Sequence, residues 1–342
     1  MATMKDIARK SGVSLGTVSN VLNNLPSVKP KNRDKVIAAV NELGYSENLT
    51  ARTLRTRLSK SIGLIIPSIT NPFYPEFARG VEDAAREAGF TVFLCNNDRD
   101  GEKERKYIKE LCSKSVDGII LIRPTIDNDE ADAILERCAL VFVGKNRHIE
   151  NRKTAQYSTI DIDERGGTEK AMNLLYKNGH YKIAFINIGS ADSISVQGRY
   201  NSYIQYMEDK KLEFRKEYMV EGDYTCDGGY AAMMKLLTLR DPPTAVFCAN
   251  DIMAFGAIKA CLDIGCKVPD DISIIGFDNI DLAKNWTPSL TTLNQPKYEI
   301  GQKSVFMLLE QLRRRANGTP KGETIRYNVE LIKRDSVGKN LQ

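Results

Sequence analysis

Histidine is nearly missing from this chain. Its 342 residues include two, His148 and His180, far apart in sequence. The commonest general base and the commonest metal ligand therefore have little to be built from. Seven cysteines are scattered without any CxxC spacing, so zinc-ribbon and dithiol motifs are absent. Most sit in apolar runs, where buried free thiols belong, and that usage suits a reducing cytoplasm. No apolar run approaches the roughly 18 residues that a spanning helix requires, so no membrane partner is expected. The first ten residues are too polar for a secretory signal. No GxGxxG follows the first expected strand, and no Walker loop occurs. Gly12-Val13-Ser14-Leu15-Gly16 does have the spacing of a nucleophile elbow, but a helix precedes it where the elbow needs a strand. Ser14 reads better as the N-cap of the next helix. With no carboxylate pair at a recognisable spacing either, the chain offers no catalytic set, no metal site and no cofactor motif.

Charge, by contrast, is present and unevenly placed. The chain carries a net +5, yet residues 1–60 alone hold 11 Lys or Arg against 4 Asp or Glu. The remaining residues hold 38 against 40. A basic headpiece on a near-neutral body implies a polyanionic partner for the headpiece.

Within that headpiece, Met4 to Asn23 reads MKDIARKSGVSLGTVSNVLN. The pattern predicts a helix, a turn at Gly12 and a second helix, with Ala8 at the crossing and Ile7, Val13 and Val21 between the helices. Val36, Ile37, Val40 and Leu43 recur at helical spacing after Pro30, and Gly44 follows as a terminating glycine. A third helix closes the bundle. Asn48 to Arg57 then predicts a short helix that three threonines make marginal, so a flexible linker is the competing reading.

From Ser61 onward short apolar runs alternate with helical segments. The expected strands are Ile62–Ile66, Phe90–Cys95, Gly118–Ile122 and Leu140–Val143, and a second series starts after Asp161. Such alternation is the mark of parallel sheets covered on both faces. After Leu290 come a long helix, Tyr298 to Arg315, and an expected strand hairpin. Two α/β units in series bind ligands in the crevice outside the carboxyl ends of their strands. The residues expected there are Phe73 and Tyr74 on a proline-fixed loop, Gly144-Lys145-Asn146, Asp161, Arg199, Asp223-Tyr224, Asn250-Asp251 and Asp278-Asn279. Carboxylates and amides pair with hydroxyls, and ring faces pack on C–H surfaces, so the set suits a polyhydroxylated ligand. Asp and Asn also favour turns and caps, which is the competing explanation for several of them.

KDIARKSGVSLGTVSNVLN, LGYSENLTARTLRT, SIGLIIPSITNPFY, TAVFCANDIMAFGA, VPDDISIIGFDN and LTTLNQP stand in this order along the chain. Together they resemble the lactose-repressor/galactose-repressor family of bacterial transcription regulators over essentially the whole length, and the family's purine repressors look close. The resemblance implies an all-α helix-turn-helix headpiece and an α/β body, similar to periplasmic binding proteins, of two doubly wound parallel-sheet subdomains. The implied domains are a DNA-binding domain at 1–46, a hinge helix at 47–60 and a ligand-binding and dimerisation body at 61–342. Within the body the implied N-subdomain is 61–160 plus 293–323, and the C-subdomain is 161–292 plus 324–342.

The same resemblance implies roles for single residues. Leu15, Gly16 and Asn20 face base edges, Asn20 with an amide able to pair bidentately with adenine. Thr3, Ser14, Thr17, Ser19 and Asn23 complete the headpiece contacts. In the hinge, Leu54 wedges into the minor groove between Arg52 and Arg55, and Glu47 replaces a frequent proline. Phe73, Tyr74, Asp161, Ser195, Arg199, Tyr224, Asn250 and Asp278 match effector positions. Ser193 stands where a purine-binding relative has arginine, which argues against a purine. Gly144-Lys145 replaces an Asp-Arg pair frequent among sugar binders. The expectation is a cytoplasmic, homodimeric, non-enzymatic regulator that binds a near-palindromic double-stranded operator under control of a small effector, a sugar or sugar derivative. The competing expectations are a solute-binding protein without regulatory role and a sugar-processing enzyme with an appended DNA unit.

Overall fold

The computed structural model describes residues 2–22, 25–45, 58–144, 156–188 and 194–340, with backbone alone at 188 and 194–197. It divides into two units, Met1–Ser59 and Lys60–Gln342, each taken separately here. The expected hinge, with Glu47, Arg52, Leu54 and Arg55, lies outside the described residues, as do Asn23, Lys145, Asn146 and Ser193 and the side chain of Ser195.

The first unit holds three helices: α1 (Met4–Ser11), α2 (Leu15–Leu22) and α3 (Pro30–Glu42). Thr3 and Asp6 start α1 as a capping box, the Asp6 amide donating to Thr3 Oγ1 at 3.3 Å and the Thr3 amide to Asp6 Oδ2 at 3.0 Å. Gly12 ends it in the left-handed region at φ 67°, where a β-carbon is penalised. Ser14 caps α2 as its sequence position suggests: its Oγ accepts from the Thr17 amide at 3.1 Å. Ile7, Val18, Val21, Val36 and Ala39 form the small core. Ile37, expected on the inner face of α3, points outward. Val36, Ala39, Val40 and Leu43 already fill the apolar stripe, and Ile37 is about a sixth of a turn beyond it.

The second unit opens with β1 (Ser61–Ile66), α4 (Phe73–Glu87), β2 (Thr91–Asn96), α5 (Gly101–Ser113), β3 (Gly118–Ile122), α6 (Asn128–Leu135), β4 (Ala139–Val143) and β5 (Ser158–Ile162). It continues with α7 (Glu164–Lys177), β6 (Ile183–Ile188), α8 (Ile194–Asp209), β7 (Met219–Gly222), α9 (Cys226–Leu237), β8 (Ala245–Cys248), α10 (Asp251–Asp263) and β9 (Ser273–Ile275). Then come α11 (Leu282–Asn285), β10 (Thr292–Asn294), α12 (Lys297–Ala316), β11 (Thr324–Tyr327) and β12 (Glu330–Ile332). Six strands in the order β11-β5-β4-β3-β1-β2 form one parallel sheet, and β7-β6-β8-β9 form a second.

Alternation along the first sheet separates two apolar layers. Ile62, Leu64 and Val141 pack with Phe77 and Val81 of α4 and Leu308 of α12. Ile65, Leu121 and Leu140 pack with Leu111 of α5 and Ile134 of α6 on the other side. The second sheet buries Phe185, Phe247 and Ile274 among Tyr203, Met233 and Phe255. Among the described residues no helix is long and apolar enough to cross a membrane.

Two expectations about chain ends need correction. The last strands are not a hairpin: β11 pairs in parallel with β5, while β12 pairs antiparallel with β10. Thr324–Tyr327 therefore belongs to the first sheet, not with the second subdomain. Asn328 and Val329 are short enough for a hairpin loop, but β11 pairs with the open parallel edge of β5 instead. The chain thus passes between subdomains three times: after β5, between β10 and α12, and between β11 and β12.

Candidate functional site

The carboxyl ends of both sheets face a shared cleft, enclosing a cavity of about 330 Å³ including its open mouth. From the first subdomain Asn71, Phe73 and Tyr74 follow β1, and Arg123 follows β3. Opposite them stand Arg199 on α8, Tyr224 after β7, Asn250 after β8 and Asp278 after β9, with Gln295 at the second crossing. Six of the eight residues expected to meet an effector are therefore brought together: Phe73, Tyr74, Arg199, Tyr224, Asn250 and Asp278.

Asp161 is not among the cavity's residues. It lies inside β5, where it is the register partner of Arg326, rather than in a loop after a strand. Phe73 and Tyr74 are also not on a loop. They form the first turn of α4, where Pro75 is tolerated because first-turn amides lack intrahelical partners anyway. Their rings meet edge to face at 5.1 Å. Arg199 sits inside α8, five residues after its start. Asp223 is a turn residue: its Oδ1 accepts from the Thr225 amide at 3.0 Å and from the Thr225 hydroxyl.

Buried charge organises the wall. Arg199 is 3% exposed and stacks 3.6 Å over the Phe277 ring. Its guanidinium donates to the Ala249 carbonyl and pairs with Glu164 Oε1 at 3.2 Å, while its buried Nε has no hydrogen-bond partner. The same Glu164 oxygen receives Arg123 at 3.1 Å. Gly198 makes room for that carboxylate, since a β-carbon there would lie 2.1 Å from Glu164 Oε2. Across the cleft mouth Arg99 lies 3.7 Å over the ring of Tyr224.

Asp278 is held from three directions. Gln295 donates to its Oδ1 at 2.7 Å, and Lys297 donates to the carbonyls of Asp278 and Asn279 at 2.9 and 3.0 Å. Burial pushes the Asp278 carboxyl up to about 6, against the pull of Arg199, Lys297 and Arg123. Burial likewise lifts Asp251 to about 7, with the charge of Asp278 adding to it. Asp251 serves structure: it accepts from Thr292 Oγ1 at 2.5 Å and the Ile280 amide at 2.9 Å. Asn250 has two tasks, capping α10 through the Met253 amide at 2.8 Å while its side chain lines the cavity.

Backbone strain concentrates at this cleft. Left-handed φ occurs at Arg99 (62°), Arg123 (52°), Tyr224 (69°), Asp278 (120°) and Asn279 (51°). Non-glycine residues rarely adopt it, and such outliers gather at ligand clamps. Arg99, Arg123, Glu164, Gln295 and Lys297 escaped the sequence reading. The one available signal was an arginine closing the apolar run of β3.

On the other unit, Ser14, Leu15 and Gly16 are exposed at the start of α2, with Leu15 at 45%. Thr17, Ser19 and Asn20 are half-buried on the same helix, while Val18 and Val21 turn inward. Thr3 is exposed at the start of α1, its hydroxyl 2.7 Å from Asp6 Oδ2.

Comparison with known proteins agrees with both units. Residues 3–48 match the model of bacterial regulatory proteins of the lacI family, and residues 172–337 match a periplasmic binding protein-like domain. The HTH-type transcriptional repressor PurR of Photobacterium profundum is 35% identical, over 98% of this chain and 99% of the relative. A lac repressor dimer bound to operator and the anti-inducer ONPF superposes with a TM-score of 0.83 at 28% identity, covering 98% of this chain and 99% of that one. The transcriptional regulator CelR in complex with cellobiose gives 0.71 at 28% identity, covering 98% and 100%. A helix-turn-helix unit joined to a ligand cleft, with full-length likeness to repressors, places the chain in the lacI family of bacterial regulatory proteins, as a DNA-binding transcriptional regulator with a small-molecule effector and not an enzyme.

Proposed function

We propose that this regulator is a cytoplasmic homodimeric repressor of a near-palindromic operator, and that a carbohydrate or carbohydrate derivative in the cleft sets its operator affinity. The observation that carries the effector reading is the cavity itself. Charged and amide side chains face aromatic rings there, the arrangement that hydroxyls and C–H faces require together. The cellobiose complex of CelR supports a carbohydrate by likeness.

For DNA, α2 presents Leu15 and Gly16 at its exposed start, and Asn20 further along, to base edges, with Thr3, Ser14, Thr17, Ser19 and Asn23 toward the backbone. Leu54 acts in the minor groove, with Arg52 and Arg55 near phosphates. A homodimer is supported by β2. This strand is the edge of its sheet and leaves Phe93 41% and Leu94 46% exposed. An apolar edge needs a cover, and a second copy supplies one with the twofold symmetry of a palindrome. The lac repressor relative is itself a dimer on operator. Effector binding then biases the angle between subdomains and, through it, the spacing of paired hinges, by its differential affinity for two arrangements.

The test is a thermal-shift screen of sugars, sugar derivatives and nucleobases, followed by operator binding with and without each hit. A sugar-type compound should raise Tm and change operator affinity by several-fold. Stabilisation by nucleobases alone overturns the carbohydrate reading. Sedimentation as a monomer at micromolar concentration overturns the dimer.

A further inference from the structure

We infer that the effector is an anionic polyol, a sugar-sized molecule carrying a carboxylate or a phosphate group. This rests on the carbohydrate reading of the cleft and narrows it.

The wall is rich in donors and poor in acceptors. Guanidinium groups donate and never accept, with five N–H groups each. Arg123 and Arg199 line the cavity, and Arg99 reaches its mouth over Tyr224. Two of the amide oxygens beside them are already engaged: Asn250 Oδ1 accepts from the Met253 amide and Asn71 Oδ1 from the Phe73 amide. Asp278 is the sole carboxylate among the described lining residues, and one of its oxygens already receives Gln295. A neutral polyol brings one hydroxyl hydrogen for every oxygen and needs acceptors for them. A carboxylate or phosphate brings oxygens without hydrogens, which is what this wall can receive.

Charge points the same way. Three guanidiniums, of Arg99, Arg123 and Arg199, border the cavity beside one described lining carboxylate, Asp278, and a single Glu164 oxygen behind the wall serves both Arg123 and Arg199. The Nε of Arg199 is desolvated and unpartnered. Leaving a buried donor empty is costly. Arg99 and Arg123 both hold left-handed backbone, so each is aimed at the cleft at a conformational cost.

The experiment uses the purified full-length protein, calorimetry and thermal shift. Its probes are glucose, galactose and mannose, their aldonates and uronates, their 6-phosphates, and acetate and inorganic phosphate as bare anions. At least one acid or phosphate ester should bind at least about tenfold tighter than its neutral parent. Its affinity should fall as salt rises. Arg99→Gln lies on an exposed loop that folding tolerates, and Arg123→Gln tests the inner wall. Each should weaken the anionic probe more than the neutral parent. Preference for acids over esters, or the reverse, identifies the source of the charge. If neutral sugars bind as tightly as their anionic forms, this inference fails and the carbohydrate reading stands. If bare anions bind as tightly as sugar anions, the polyol half fails. If no sugar of either kind stabilises the protein, both fail together.

Discussion

Arg123 and Glu164 meet across the cleft at 3.1 Å, one closing strand β3 of the first subdomain and the other opening helix α7 of the second. Glu164 also holds Arg199, so the contact that joins the subdomains is the one that orients a wall residue. Glu164→Gln removes the carboxylate that both guanidiniums share. Removing one partner of a largely buried ion pair costs about 3 kcal/mol. Urea denaturation should show that loss in the second unit, and an unchanged midpoint would mean the pair contributes nothing net.

Asp278 gives the protein a pH dependence with a definite sign. Its carboxyl is raised by burial from an ordinary 3.8 to about 6. The native state keeps a proton that the unfolded chain has already lost, so stability from this group falls as pH rises from about 4 to about 6 and is flat above that. Relative to Asp278→Asn, the wild-type protein should lose up to about 3 kcal/mol across that window. Parallel stability curves for the two proteins would show that Asp278 is not so perturbed. Affinity for a neutral polyol should run the other way, rising as Asp278 ionises, because only the carboxylate accepts from hydroxyls without also donating.

Helices α4 and α12 cross at glycines. A β-carbon on Gly80 would stand 2.1 Å from the Tyr298 carbonyl oxygen, and one on Gly301 would stand 2.3 Å from that of Phe77. Backbone cannot yield as a side-chain tip can. Gly80→Ala should destabilise by about 1–3 kcal/mol through overpacking, and outweigh alanine's better helix propensity. A higher Tm for this variant would show that the helices separate freely.

The headpiece and the hinge divide the work of reading DNA. Asn20→Ala should cost about 1–3 kcal/mol on the specific operator and relax preference at one base pair. Leu54→Ala should weaken specific binding far more than nonspecific binding, since only a chosen base step kinks cheaply. Equal losses on both kinds of DNA, measured by anisotropy at fixed salt, would sink the hinge wedge.

The parts legible in sequence were those governed by local rules. Gly12 and Ser14 announce a helix end and a cap, and β1 carries an apolar run, Leu64 to Ile66, and is buried along its whole length because both its faces are covered. Arg199, Tyr224, Asn250 and Asp278 were found because strand ends in such sheets border the crevice. Arg123 and Glu164 were not, since an acidic first-turn residue is ordinary in any helix and only the packing of two subdomains brings it to an arginine 41 positions away. Asp161 was misplaced because β5 reads Ser-Thr-Ile-Asp-Ile, half-buried and half polar, and hides a strand. Lys297 looks like a surface residue by type, yet it is buried against the Asp278 loop.

The pairing of β11 with β5 bears on how the protein is made. Ser158 Oγ waits for the Glu323 amide, 165 positions later. At ribosomal rates of 5–20 residues per second, that is a delay of roughly 10 to 30 s. Throughout it the first sheet presents an unpaired edge while the second subdomain is synthesised and folds. The N-terminal sheet is therefore finished only after most of the second subdomain, and a message truncated before β11 yields an exposed strand edge instead of a smaller working protein.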